Sequence, residues 1–95
     1  MTKTLVTQKY LLSKKKGIQH IQIPDLATII HVGEQCGCLY FWAIMDPTNK
    51  IIERDFEVIE TNETFEMDMS TKYIGIILTD HNMRSFHVIE RCKKL

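Results

Sequence analysis

The residues of this sequence best suited to chemistry are its histidines and cysteines, and a run of aromatic, cationic and carboxylate side chains between positions 31 and 57. Cys36-Gly37-Cys38, with His31 five residues upstream and His20 or His87 as further donors, offers soft ligands for a metal. Structural zinc sites, however, draw on C-x(2 to 4)-C pairs from two sides, and here there is one pair with a single residue between. A hairpin that happens to carry thiols accounts for the spacing better, so no metal and no cofactor is expected. No thiol is surrounded by a signature of a cysteine nucleophile. There is also no G-x-S-x-G, P-loop, H-E-x-x-H or dinucleotide fingerprint. Glu53, Asp55 and Glu57 recur at a spacing of two, which describes the solvent face of a strand more simply than an acid/base pair. Nothing nominates a catalyst, and the expectation is a protein that is not an enzyme.

The aromatic and charged residues are more suggestive. Tyr40 and Trp42 fall on one side of an extended segment that ends at Asp46, and Arg54 follows the Asp46-Pro47 turn. If those two segments pair as a hairpin, it presents an aromatic platform, a guanidinium and a carboxylate together. A base stacks on such a platform for roughly 1 to 3 kcal/mol, and an arginine fork suits a phosphate. For Trp42 taken alone the core of a small sandwich is the favoured reading, with stacking as the alternative. His31 and His87 sit within apolar segments, and structural and ligand-binding roles are equally open to them.

The elements that must hold these groups read as strands. Turn clusters recur at Ser13 to Gly17, Pro24-Asp25, Gly33 to Gly37, Asp46 to Lys50, Thr61 to Thr64 and Asp80 to Asn82. Between them lie seven segments rich in Ile, Val, Thr, Tyr and Phe, near residues 4 to 12, 18 to 23, 27 to 33, 38 to 45, 51 to 60, 72 to 79 and 85 to 92. This predicts one all-β domain over residues 1 to 95, an antiparallel sandwich or small barrel. Residues 62 to 71 fit no period and are expected as a loop, with at most one helical turn. Leu39 to Met45 and Ile74 to Leu78 are almost wholly apolar, which places both strands at the centre.

With 95 residues, 44% of them hydrophobic and 25% charged, the chain has the balance of a globular domain and room for only one. Twelve basic and twelve acidic residues cancel, so the field that holds a protein on duplex DNA or an anionic membrane is missing. The charges nevertheless segregate: five lysines and no acid in residues 1 to 23, seven acids against Arg54 in residues 53 to 68. Two solvated faces, or a device for self-association, follow from that arrangement. With no apolar leader and an odd count of three cysteines, free thiols and a cytoplasmic location are expected.

The run Ile29-Ile30-His31-Val32-Gly33-Glu34-Gln35, then Leu39-Tyr40-Phe41-Trp42-Ala43-Ile44-Met45-Asp46-Pro47, resembles the I-L-H-V-G-x-Q and L-x-L-W-A-x-V-D segments of a family of small tailed-phage proteins. Lys9-Tyr10-Leu11-Leu12, Ile21-Gln22-Ile23-Pro24, Tyr73-Ile74-Gly75 and the closing Phe86-His87-Val88-Ile89-Glu90 fit the same pattern. The pattern's G-T-G segment is replaced here by Glu60-Thr61-Asn62. The chain also resembles the phage anti-CBASS sponges, which sequester cyclic nucleotide signals of bacterial antiphage defence without cleaving them. That resemblance implies a cyclic dinucleotide such as cGAMP as ligand, held in the host cytoplasm by a homo-oligomer, dimer or tetramer, with sites near subunit interfaces. It implies Trp42 or Tyr40 stacking a base, Arg54 and Lys50 on phosphates, and His31, Gln35, Thr79 and His87 as hydrogen-bonding groups. Asp46 would read a base edge or hold Arg54. On this view Arg54→Ala weakens binding and leaves the melting temperature almost unchanged. The alternative is a non-catalytic structural or protein-interaction module of a phage.

Overall fold

The computed structural model describes residues 2–79 and 83–92. Seven strands follow one another: β1 (Val6–Leu12), β2 (Gln19–Pro24), β3 (Thr28–Gln35), β4 (Cys38–Met45), β5 (Ile51–Glu60), β6 (Thr71–Leu78) and β7 (Ser85–Arg91). Every pairing is antiparallel, and the strands form two sheets, β1-β4-β3 and β2-β5-β7-β6. The fold class is therefore the predicted all-β domain. Its shortest dimension, 19 Å, matches two sheets packed face to face about 10 Å apart with side chains outside them. Residues 62 to 70 form no helix, as the lack of a helical period implied.

Strict alternation builds the core. On β4, Leu39, Phe41, Ala43 and Met45 are buried, whereas Tyr40, Trp42 and Ile44 point to the other face. Facing them from the second sheet are Ile23, Phe56, Val58, Ile77, Phe86 and Val88. The Phe41 and Phe56 rings meet across the sandwich at 4.9 Å, and Tyr10 stacks on Phe41 at 5.1 Å. Burial raises the Tyr10 hydroxyl above the ordinary tyrosine pKa.

Two turns have clear backbone causes. Cys36 and Gly37 link β3 to β4 with φ of 51° and 80°, the two positive values that a tight two-residue hairpin turn needs. All three cysteines are free and exposed, as expected. Asn62 follows β5 at φ 80°, a left-handed conformation that asparagine adopts more readily than most residues with a side chain.

Two expectations are corrected. β4 is indeed the central strand of its sheet, but β6 is an edge strand, with Tyr73, Ile76 and Leu78 exposed on its outer side. A continuous apolar run was a poor guide there because one face is bare. β4 and β5 do not form a hairpin, since Asp46 to Lys50 carries the chain from one sheet to the other. The acidic run stays at the surface, where Glu57, Glu60 and Glu63 pair with Arg91, Arg84 and Lys16 of the same chain.

The edges β3 and β6 approach closely, and a Cβ on Gly75 would lie 2.9 Å from Val32 Cγ2, so only glycine fits that approach without a shift. The surface carboxylates set an acid limit. The Arg84 guanidinium holds Glu60 below its ordinary value. Glu63 is lowered by the Glu60 N–H and then by Lys16, and Asp46 by the Thr48 hydroxyl and N–H. Depressed carboxylates contribute stability that is present above their unfolded values, near about 4, and lost as pH falls through the folded ones. The melting temperature is expected to decline modestly below about pH 4.5, and Arg84→Ala to flatten part of that decline in melts across a pH series.

Candidate functional site: an aromatic face on the three-stranded sheet

The outer face of β1-β4-β3 gathers several predicted residues. Register puts His31 and Lys9 on either side of Trp42, with Gly33 and Leu11 on either side of Tyr40. The His31 and Trp42 rings lie 5.5 Å apart at 46°, and Tyr40 and Trp42 lie 6.0 Å apart at 52°. Lys9 Nζ sits 4.5 Å from the Tyr40 ring centre and donates to Gln35 Oε1 at 2.7 Å. A stacking surface, an imidazole, a carboxamide and an ammonium therefore share one patch.

Gly33 makes the floor of this patch. A Cβ there would stand 3.2 Å from His31 Nε2 and 3.5 Å from Trp42 Cζ3. The backbone of β3 thus lets the two rings lie low on the sheet. Gly33→Ala is expected to displace His31, the flexible neighbour, while the fold persists. The His31 ring resonances beside a thermal melt check both halves of that expectation.

Trp42 is half-buried on this outer face, not the core residue that was favoured for it; Phe41, one position earlier, fills the core. Tyr40, His31 and Gln35 lie with it on the same face.

The remaining residues go elsewhere. Arg54 lies on the inner side of β5, where Nε and Nη2 bind Glu90 Oε2 and Oε1 at 2.7 and 2.8 Å, and Nη1 donates to the Ala27 carbonyl at 2.7 Å. The Glu90 carboxylate raises the Arg54 pKa further above its ordinary value. Asp46 does not hold Arg54; its Oδ1 accepts from the Thr48 N–H and hydroxyl. Lys50 is exposed in the loop entering β5, its carbonyl accepting from the Asp25 N–H. Thr79 is buried and closes the β6 to β7 connection through both polar groups of the Arg84 backbone. His87 is on the outer face of the other sheet, with Nδ1 2.9 Å from the Tyr73 hydroxyl and Nε2 3.1 Å from Thr61 Oγ1.

A depression of about 440 Å³ beside Arg54, lined also by Asp25, Ile52, Lys72, Arg91 and Cys92, lies away from the aromatic face. Two of its cations, Arg54 and Arg91, are engaged by Glu90 and Glu57. The residues that sequence reasoning did not nominate are Lys9 and Gly33. Gly33 meets Tyr40 within the β3–β4 pair, whereas Lys9 reaches Gln35, 26 residues away, only because β1 pairs with β4.

Fold and site together define a small two-sheet β-sandwich with half-buried aromatic rings on one outer face. The chain belongs to the family described as Domain of unknown function (DUF7352), whose pattern matches residues 1–94. No curated protein and no solved structure matches it.

Proposed function

We propose that this protein binds and sequesters a cyclic oligonucleotide second messenger, a cyclic dinucleotide such as cGAMP, without cleaving it, as a phage countermeasure to nucleotide-signalled host defence. The observation that carries the reading is the cluster of half-buried Trp42 and Tyr40 with exposed His31, Lys9 and Gln35 on one outer sheet face. Aromatic faces accept any base, and a nearby ammonium suits a phosphate. Sequestration needs nanomolar affinity, about 12 kcal/mol, and no nucleophile, base or metal. A flat face meets one base, so a ligand with two bases calls for a second copy of the face, supplied by a symmetric homo-oligomer.

The test is a thermal-shift screen against cyclic di- and trinucleotides, with linear dinucleotides and ATP as controls. A ligand raises the melting temperature by mass action, so a large shift with one cyclic class and none with the controls is expected. No shift from nucleotide-free, folded protein overturns the proposal. Recovery of intact ligand after heat denaturation separates sequestration from hydrolysis.

The second reading, a structural or protein-interaction module, is favoured by the exposed Tyr73, Ile76 and Leu78 on edge strand β6. Co-purification with a virion or host component, and with no nucleotide released on denaturation, supports it.

A further inference from the structure

Among the described residues, one group of histidine and carboxylate side chains brings its ligand atoms within 4.8 Å of one another: His20, Glu53 and Asp55. They lie on the outer face of the β2–β5 pair, remote from the aromatic face because they belong to the other sheet. His20 is directly opposite Asp55 in register, and Glu53 is two residues before Asp55 on the same side of β5. His20 Nδ1 stands 2.7 Å from Asp55 Oδ1 and 3.4 Å from Glu53 Oε1.

We propose that these three side chains bind a divalent transition-metal ion, zinc above all. One imidazole and two carboxylates form a donor set that zinc accepts, with Zn–N and Zn–O bonds of about 2.0 to 2.2 Å. Two donors on a tetrahedral zinc are roughly 3.3 Å apart at those bond lengths. The His20 to Glu53 separation already has that value, and the shorter His20 to Asp55 contact opens by a side-chain rotation. The strands hold the three Cα atoms in fixed register, so little order is lost on binding. Three protein donors leave a coordination position to solvent, and the ion ties edge strand β2 to central strand β5.

The experiment uses untagged protein in which Cys36, Cys38 and Cys92 are replaced by serine, because exposed thiols are competing zinc ligands. Zinc chloride titrated by calorimetry is expected to bind with one ion per chain and to raise the melting temperature by several degrees, and magnesium is expected to do neither. His20→Ala is expected to lose the zinc response, read as the zinc-induced shift from that variant's own metal-free melting temperature. Glu53→Gln is expected to weaken zinc affinity at least about tenfold. Absence of zinc binding, or a zinc response that survives His20→Ala, overturns the proposal.

Discussion

Arg54→Ala is expected to lower the melting temperature by at least about 12 °C. The guanidinium and the Glu90 carboxylate are 17% and 8% exposed, and their two parallel hydrogen bonds at 2.7 and 2.8 Å leave each group matched to the other. Removing one partner of a buried pair strands the other, at about 3 to 5 kcal/mol, and a domain of this size loses roughly 4 to 8 °C per kcal/mol. The Ala27 carbonyl loses its donor in the same variant. Arg54→Met combined with Glu90→Leu, which removes both charges, is expected to recover most of the loss. Thermal denaturation followed by circular dichroism reads both variants. A fall below about 3 °C for the single variant means that the pair does not hold the sheet together. The result bears on function as well. A guanidinium whose Nε, Nη1 and Nη2 are all engaged is a structural clamp, and reduced ligand binding in this variant has to be judged against its loss of fold.

Trp42→Ala is expected to reduce cyclic dinucleotide affinity between about fivefold and 150-fold, the equivalent of roughly 1 to 3 kcal/mol of base stacking. Its ring is half-buried on the outer face and touches His31 and Tyr40, whereas the core beneath is filled by Phe41 and Phe56. The melting temperature is therefore expected to move by only a few degrees, since an outward cross-strand aromatic contact contributes about 1 kcal/mol or less. Trp42→Phe is expected to retain most of the affinity. Phe41→Ala, one residue earlier, is expected to unfold or strongly destabilise the chain, because it empties a fully buried aromatic site. Calorimetric titration of the two Trp42 variants beside their melts is the check. Unchanged affinity in Trp42→Ala would remove the aromatic face as the ligand site.

The order and span of the strands were legible in the sequence because turn residues and β-branched runs are local signals. Gly33 to Gly37 and Asp46 to Lys50 bracket β4 almost to the residue. Fold class followed from the same signals. Tyr40, His31 and Gln35 meet on the β3–β4 hairpin, whereas the sequence pattern joins Tyr40 to Asp46 and Arg54 on a β4–β5 hairpin that does not form.

What local signals leave undecided is the face and the partner of each strand. In Leu39-Tyr40-Phe41-Trp42-Ala43-Ile44-Met45 every residue is apolar, so the alternation that separates core from surface has no polar marker. A shift of one residue exchanges Phe41 for Trp42. Ile74 to Leu78 reads as central for the same reason, yet it borders the sheet, because nothing in a strand's own composition states how many neighbours it has. Arg54 is the clearest case. Its nearest carboxylates in sequence are Glu53 and Asp55, which alternation sends to the opposite face. The one it binds, Glu90, is 36 residues away on a strand brought alongside by sheet order. The sequence by itself determined an all-β domain and its strand spans. Only the tertiary structure decided which aromatic residue lies outside, which ammonium joins it and which charges are consumed inside the fold, because long-range pairing and the burial of one face set all three.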